Sequence, residues 1–193
     1  AAFVRATLTN FASFSSDPGE LLRLTNAAIY DRDSNIVEFV TATCVRVWPD
    51  TGDIAWAQAG HPPPLDLDTG DPLHGWHACA PLGIDETLAC STRHVRLDAG
   101  QGFLLFSDGL IEARPPRPGA ELFGDERVRE ALSRHQGRSP ADIVAALRDA
   151  ATAYAEGEPA DDLTLLAARL EPVTASRFPP GPEASATARA SGL

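Results

Sequence analysis

Two stretches of the chain place carboxylates at the end of an apolar run. Residues 103–106 are an unbroken apolar run, and Ser107-Asp108-Gly109 follows directly. Asp161 and Asp162 stand immediately before a second apolar run that begins at Leu163. Short continuous apolar runs predict strands covered on both faces. A carboxylate at the end of such a strand is costly to bury unless a hydrogen-bond partner or a cation accompanies it.

The chemistry of these carboxylates depends on how the two predicted strands pair. If the strands are antiparallel neighbours, Asp108 and Asp161 converge on one edge of the sheet. Converging carboxylates repel one another unless they share a proton or a cation, and an oxygen-only cluster suits Mg²⁺ or Mn²⁺. The alternative is local: Asp108 opens a turn with Gly109, and Asp161 or Asp162 caps a loop. Asp-Gly and Asp-Asp are common turn dipeptides, so spacing alone favours the turn interpretation.

The elements that position these residues follow from periodicity and turn signals. Residues 1–15 have a helical period, and Asp17 with Pro18 and Glu20 predicts the capped start of a second helix. Alternation over residues 37–48 predicts a long strand, and its hairpin partner follows the turn at residues 49–52. Further strands are predicted at residues 65–68 and 91–97.

The second half of the chain predicts helices and one closing strand. A short helical turn follows Asp108, Asp125 is predicted to cap a helix, and Ser139 with Pro140 opens another. The closing strand follows Asp162 and runs to about residue 170. The order helix pair, antiparallel strands, helix pair, strand predicts an α+β fold without βαβ alternation.

Composition excludes several classes of function. The formal net charge is −11, and all 16 basic side chains are arginine, without a basic stripe, which argues against nucleic acid and anionic membranes as partners. No apolar run reaches membrane-spanning length and no signal peptide opens the chain, so we expect a cytoplasmic protein without membrane insertion. Cys44, Cys79 and Cys90 show no metal or redox spacing, and reduced thiols without a role are expected.

The two ends of the chain differ in character. The 193 residues include no methionine, and the first residues have a helical period with no capping residue before them, which predicts a fragment of a longer protein. Residues 172–193 are rich in Pro, Ala, Ser and Gly and are predicted to be a disordered tail. The folded unit is therefore expected to span residues 1–171.

Five short motifs follow one another along the chain. They are Ala59-Gly60-His61-Pro62-Pro63, Pro81-Leu82-Gly83, Phe106-Ser107-Asp108-Gly109-Leu110-Ile111-Glu112-Ala113, Phe123-Gly124 and Asp161-Asp162-Leu163-Thr164-Leu165. Each motif alone is weak, but together, in this order and at these intervals over about residues 1–170, they resemble one family, the SpoIIE-like branch of the PPM (type 2C) metal-dependent serine/threonine phosphatases.

The resemblance implies an antiparallel β-sandwich flanked by helical layers, with two Mn²⁺ or Mg²⁺ ions at one end of the intact domain. It implies that a metal-activated water attacks phosphoserine or phosphothreonine directly, with no catalytic side chain beyond that water. Carried over by motif, Asp108 and Asp161 are metal ligands, Asp162 holds a ligand or its water, and the backbone of Gly109 lies near the site. His61 resembles a structural hairpin corner more than a general acid.

The sequence departs from the family at its start. The family's Gly-Asp pair and its Asp-x-Ser-Gly-x-Gly loop have no counterpart here, so the C-terminal portion of the domain is present with half of the metal site and the first strands missing. We expect the chain alone to have little or no phosphatase activity.

Two functional hypotheses follow from the resemblance. The first is the catalytic part of a phosphatase acting on a phosphorylated anti-anti-sigma-type regulator, with a sensory domain upstream in the parent protein. The second is a non-catalytic pseudo-phosphatase that binds a partner in a sigma-factor partner switch.

Overall fold

The computed structural model describes residues 2–30, 39–75 and 79–171. The predicted tail at residues 172–193 and the first residues of the predicted long strand lie outside these ranges. The helices are α1 (Ala2–Phe11), α2 (Pro18–Tyr30), α3 (Asp108–Ile111), α4 (Gly124–Arg134) and α5 (Pro140–Tyr154). The strands are β1 (Ala42–Trp48), β2 (Asp53–Ala59), β3 (Leu65–Asp66), β4 (Arg93–Arg96), β5 (Gly102–Phe106) and β6 (Leu165–Arg169).

The described strands form two three-stranded antiparallel sheets. The first has the order β1-β2-β4 and the second the order β3-β5-β6. β5 and β6 pair directly, with Phe106 opposite Leu165 and Gly102 opposite Arg169. The two apolar runs that carry the acidic motifs are therefore antiparallel neighbours, which is the condition under which their acidic ends share one edge of the sheet.

The two sheets pack face to face through alternate side chains. Ile54 and Trp56 of β2 contact Phe103 of β5 in one buried apolar cluster. Ala57 and Ala59 belong to a second cluster on the opposite face of the first sheet. This period of two places successive residues of β2 in different layers, which is the geometry of a β-sandwich.

Helices cover the outer face of each sheet. Val4 of α1 and Leu22 of α2 pack on the first sheet. Leu104 and Phe106 of β5 point to the opposite side of the second sheet and pack against α3, α4 and α5; the buried helical residues there are Leu110, Val128, Ala131, Leu132, Ile143, Leu147 and Ala151. The chain is thus an antiparallel α+β sandwich between two helical layers, which confirms the predicted fold class.

The helix starts follow the predicted caps in two cases. The amide of Glu20 donates to Asp17 Oδ1 at 2.7 Å, and Pro18 opens α2. The Glu20 carboxylate accepts from Ser15 Oγ at 2.5 Å instead of closing a reciprocal capping box. The amide of Asp142 donates to Ser139 Oγ at 3.2 Å at the start of α5.

Two predicted helix boundaries are wrong. α4 begins at Gly124, and Asp125 lies in its first turn and does not cap it. The residue before the helix is Phe123, which is 4% exposed, so burial of that ring fixes the entry of the chain and leaves no place for a polar cap. α1 ends at Phe11, and Phe14, predicted within that helix, is 84% exposed.

Within the described ranges, no helix has the length and apolar character needed to cross a membrane.

Candidate functional site

The acidic motifs meet at one edge of the second sheet. β5 ends at Phe106, and Ser107 and Asp108 follow it at once. β6 begins at Leu165, three residues after Asp162, and Phe106 and Leu165 are paired across the strands. The end of one strand and the start of the other therefore bring Asp108 to the segment that carries Asp161 and Asp162.

Ser107 joins the two segments through three hydrogen bonds. Its amide donates to the carbonyl of Thr164 at 3.0 Å. Its hydroxyl donates to the carbonyl of Asp162 at 2.8 Å and accepts from the amide of Thr164 at 2.9 Å. Sequence reasoning gave Ser107 no role, although a hydroxyl directly before Asp-Gly at a strand end was a signal for such a bond.

Gly109 allows the two segments to approach closely. A Cβ atom at this position would lie 2.6 Å from the carbonyl oxygen of Asp162 and 3.4 Å from that of Asp161. The first distance is shorter than any ordinary carbon–oxygen contact, so a larger residue would push the strand ends apart. The missing side chain is what lets the Asp108 turn pack against the Asp161–Asp162 backbone.

The two principal carboxylates each make a local hydrogen bond. Asp108 Oδ1 accepts from the amide of Gly109 at 3.1 Å, and Asp161 Oδ1 accepts from the amide of Asp162 at 2.7 Å. Asp108 is half-buried, whereas Asp161 and Asp162 are exposed. These are the local bonds that the turn interpretation predicts, and each engages a single oxygen of its carboxylate. The convergence interpretation is supported by the close approach of the two backbone segments.

His61 lies beside Asp108 at this edge. It follows the last residues of β2, and its Nδ1 atom is 3.2 Å from Thr41 Oγ1. Burial lowers the pKa of His61, while the charge of Asp108 and a hydrogen bond with the backbone of Phe106 act in the opposite direction. These contacts fit the predicted hairpin corner and also place the imidazole near the acidic edge.

The donor set at this edge fits a hard divalent cation as part of a ligand shell. Carboxylate and carbonyl oxygens are the donors that Mg²⁺ and Mn²⁺ prefer. The described part of the chain contains no group of three or more His, Cys, Asp and Glu side chains positioned to hold a metal ion. Asp108 and Asp161 would by themselves supply only some of the ligands that such an ion needs.

A cavity of about 480 Å³ opens beside the acidic segment, between it and α5. Its wall includes Asp161 and Asp162 on one side and Arg148 and Thr152 of α5 on the other. Arg148 also pairs with the exposed Asp149 at 2.9 Å. A polar molecule can therefore reach the strand ends from the side of the sheet that α5 covers.

Comparison with known proteins assigns the chain to a family. The family model of stage II sporulation protein E (SpoIIE) matches residues 1–171. The curated protein IcfG of Synechocystis sp. is 24% identical over 148 residues, which cover 76% of this chain and 23% of that protein. The chain thus spans about a quarter of the length of this relative.

Solved structures with the same fold are all distant in sequence. The SiaA-PP2C domain of Pseudomonas aeruginosa superposes with a TM-score of 0.74 at 22% identity, covering 88% of this chain and 68% of that one. A Mycobacterium tuberculosis protein with RsbU and RsbW domains gives 0.67 at 23% identity, covering 87% and 46%. The phosphatase domain of SpoIIE from Bacillus subtilis gives 0.61 at 17% identity, covering 86% and 71%.

The family match over residues 1–171 and the β-sandwich fold lead to the same assignment. The chain belongs to the SpoIIE-like branch of the PPM (PP2C-type) phosphatase domains.

Proposed function

We propose that this domain is the C-terminal part of a Mn²⁺- or Mg²⁺-dependent phosphatase that hydrolyses phosphoserine or phosphothreonine in a regulator protein of the anti-anti-sigma type. One observation carries the proposal: the hydrogen bonds of Ser107 and the close approach at Gly109 bring the Asp108 turn against the Asp161–Asp162 backbone at one edge of the sheet. Two solved structures support the choice of ion, since SpoIIE of Bacillus subtilis was presoaked with manganese and RsbX is in complex with magnesium.

The residues of this chain contribute positioning and charge. Asp108 and Asp161 would hold the divalent cation, and Asp162 would orient a further ligand or its water. A bound divalent cation supplies a water that is nucleophilic at neutral pH and neutralises developing charge on the phosphoryl oxygens. Ser107, at the end of β5, ties the Asp108 turn to the Asp162–Thr164 segment, because its hydroxyl bonds the Asp162 carbonyl and the Thr164 amide. His61 is half-buried beside Asp108 and helps to shape the corner at this edge.

The 193-residue chain is proposed to have little or no activity by itself. A catalytic site with two ions needs more carboxylates than Asp108, Asp161 and Asp162 supply. The remaining ligands then come from residues upstream in a longer protein.

The test is Mn²⁺-dependent hydrolysis of p-nitrophenyl phosphate by this chain and by a chain extended upstream to include the remaining ligands. We expect activity in the extended chain alone. Asp108→Asn and Asp161→Asn should each lower that activity by more than the roughly 10- to 100-fold that follows loss of an outer-sphere partner. Asp98→Asn is the matched control, since Asp98 lies in the turn before β5, at the other end of the sheet, and should leave the rate unchanged.

A second candidate is a non-catalytic module that binds the regulator. The incomplete set of acidic ligands among the described residues favours this reading. Absence of hydrolysis in both chains, together with retained binding of a phosphorylated regulator, would establish the binding module and refute the enzyme.

A further inference from the structure

The three cysteines, far apart in sequence, lie in one apolar cluster. Cys90 is buried between the first sheet and the helices α1 and α2, and Cys44 and Cys79 are partly buried against the same cluster. Their sequence spacing predicted no role. The fold therefore brings together three thiols whose sequence spacing gave no indication that they are neighbours.

Cys79 and Cys90 pack in the same cluster at the end of β2. The Cys90 thiol donates to the carbonyl of Gln58 at 2.9 Å, and the amide of Gly60, two residues further on, donates to the carbonyl of Cys79 at 2.9 Å. Cys90 is 3% exposed, whereas Cys79 is only partly buried. Cys79 is thus the more accessible thiol of the pair.

The backbones that carry this pair are anchored. The carbonyl of Cys79 accepts from the amide of Gly60 at 2.9 Å, and the carbonyl of Cys90 accepts from Arg23 Nη1 at 2.6 Å. Asn26 of α2 bonds the loop between the two cysteines, donating to the carbonyl of Asp85 at 2.9 Å. The segments that carry the two cysteines are therefore held in place on both sides and along the connecting loop.

We propose that Cys79 and Cys90 are an oxidation site, a dithiol that closes to an intramolecular disulfide while Cys44 stays reduced. With hydrogen peroxide as oxidant, the Cys79 sulfur attacks one peroxide oxygen, the O–O bond breaks, and Cys79 becomes a sulfenic acid with release of water. The Cys90 sulfur then attacks the Cys79 sulfur, its proton leaves with the hydroxyl as a second water, and the S–S bond forms. Two electrons pass from the thiols to peroxide.

The environment of each thiol agrees with these roles. Cys90 is 3% exposed and Cys79 is partly buried, so peroxide reaches Cys79 first. Burial and the neighbouring Cys79 raise the pKa of the Cys90 thiol to about 12, which agrees with Cys90 not being the first nucleophile. Burial, and secondly the charge of Asp17, raise the pKa of Cys44. Cys44 is therefore held as the unreactive thiol form.

The proposed disulfide lies behind the corner that reaches the acidic edge. A Cβ at Gly60 would lie 2.5 Å from Pro81 Cγ, so the segment after Cys79 packs directly on the residue that precedes His61. Closing the disulfide fixes that segment. The oxidation state of the pair is thus linked by contact to the position of His61 beside Asp108.

The experiment treats the folded chain with hydrogen peroxide, blocks remaining thiols with N-ethylmaleimide and maps the peptides. Trypsin gives one peptide of residues 47–93 that holds Cys79 and Cys90, because no arginine or lysine lies between Arg46 and Arg93, and it leaves Cys44 on a separate peptide. Cleavage after Glu86, the single glutamate between the pair, leaves two fragments that only a disulfide joins. We expect joined fragments, a blocked Cys44 and a fall from three free thiols to one.

Variants separate the pair from its neighbour. Cys79→Ser should abolish the joined fragments, and Cys90→Ala, chosen because a hydroxyl is poorly matched to this apolar site, should leave Cys79 as a sulfenic or sulfinic acid. Cys44→Ser is the matched control from the same cluster and should leave the joined fragments unchanged. Blocking of both Cys79 and Cys90 after peroxide treatment of the wild-type chain, or disulfides only between separate chains, would overturn the proposal.

Discussion

At the scale of single residues, the acidic edge depends on side chains that are small or absent. Ser107, at the end of β5, supplies a hydroxyl that bonds the backbone of Asp162 and Thr164, and Gly109 supplies the space that lets the two segments meet. The carboxylates provide the charge, and these two neighbours hold together the backbone segments that carry them. Substitutions beside the acidic residues should therefore disturb the edge as directly as loss of a carboxylate.

Gly109→Ala is expected to open the acidic edge. The added methyl group would lie 2.6 Å from the Asp162 carbonyl oxygen, so the loop must shift, at a cost of about 1–3 kcal/mol in the free energy of unfolding. Urea unfolding of the variant and the Mn²⁺ concentration needed for half-maximal hydrolysis by the extended chain measure the two effects. We expect lower stability and a higher Mn²⁺ requirement.

Gly119→Ala is the control for this change. Its Cβ meets nothing within 4 Å, although φ is +74°, so backbone strain of about 1 kcal/mol is the sole cost. The Mn²⁺ requirement should stay at the wild-type value. An equal loss of Mn²⁺ response in both variants would contradict the close-approach argument.

The sequence directed attention to the acidic residues more readily than to the contacts around them. Spacing alone favoured turn roles for Asp108 and Asp161, and the family resemblance implied metal ligands, a role that stays a prediction. The roles of Ser107, of the close approach at Gly109 and of the Cys79–Cys90 pair depend on contacts between segments distant along the chain. No local pattern encodes such contacts, so only the folded chain reveals them.

At the scale of elements, buried polar side chains connect helices and strands to the loops around them. Asn26 of α2 is 1% exposed; it accepts from the amide of Gly83 at 2.8 Å and donates to the carbonyls of Asp85 and Glu86 at 2.9 and 3.2 Å. This one amide satisfies three backbone groups of a loop that has no regular secondary structure. The loop is thereby ordered by the helix beneath it.

Asn26→Ala is expected to lower the free energy of unfolding by ~3 kcal/mol, because three backbone groups lose a buried partner. Asn10→Ala, on the exposed face of α1, serves as the control and should change stability by less than about 0.5 kcal/mol. Urea denaturation followed by far-UV circular dichroism gives both values. Equal stabilities of the two variants would show that the loop is ordered by other contacts.

An ion pair connects the far ends of the strands in the second sheet. Arg169 of β6 forms a two-pronged pair with Asp68, at 2.8 and 2.9 Å, and both side chains are mostly buried. The amide of Gly137, in the loop before α5, donates to Asp68 Oδ1 at 3.1 Å. The pair therefore joins the segment after β3, the end of β6 and the α4–α5 loop.

Asp68 should contribute a pH-dependent part of the stability. The hydrogen bonds from Arg169 are the largest of the effects that hold the pKa of Asp68 below its ordinary value of 3.8. The unfolded chain then takes up this proton at a higher pH than the folded chain, so the contribution is complete above about pH 4 and is lost as the pH falls through the lowered folded pKa. Thermal unfolding of wild type and Asp68→Asn between pH 2 and 7 tests this.

Asp68→Asn is expected to cost roughly 1.5–3 kcal/mol at neutral pH and to flatten the acid part of the stability profile. Asp71→Asn is the control, because the Asp71–Arg129 pair is exposed and its atoms are 3.4 Å apart. A surface pair of this kind contributes about 0–1 kcal/mol. Identical acid profiles for wild type and Asp68→Asn would contradict the assignment.

At the scale of the whole molecule, one apolar layer holds the two sheets together. Trp56 is 1% exposed within this layer and is the largest fully buried side chain of the described residues. Its indole Nε1 is buried and has no hydrogen-bond partner among the residues that the structure describes. The packing of the ring therefore stabilises the sandwich, while burial of the unpaired N–H group lowers the free energy of unfolding.

Trp56→Phe is expected to change the free energy of unfolding by less than about 1 kcal/mol, since loss of ring volume is offset by removal of an unpaired buried N–H group. Trp56→Ala should lower the free energy of unfolding by about 3–5 kcal/mol, because removal of the ring leaves a cavity whose cost exceeds what loss of the unpaired N–H group recovers. Urea unfolding of both variants, with far-UV circular dichroism as the probe, measures the difference. A loss above about 2 kcal/mol for Trp56→Phe would indicate that the indole N–H group is satisfied.

The overall architecture was largely predictable, and its boundaries were not. Alternation in β2 and the continuous apolar runs of β5 and β6 show which faces of the strands are buried, so the fold class followed from the sequence. The pairing of β5 with β6 was a condition that the sequence left open. The end of α1 and the start of α4 were misplaced, because burial of Phe123 and exposure of Phe14 are decided by the packing of other elements. Local propensity carries no information on such tertiary preferences.

The pairing of β5 with β6 also has a consequence for biosynthesis. The bond from Ser107 to the Asp162 carbonyl joins positions 55 residues apart, so during translation the acidic edge cannot form until β6 has left the ribosome. Until then β5 has an open hydrogen-bonding edge beside a completed hydrophobic run, the kind of surface that chaperones protect. A nascent chain whose translation stops before residue 165 would therefore expose the open edge of β5 and be prone to aggregate. Such a chain is a substrate for the quality-control machinery of the cell.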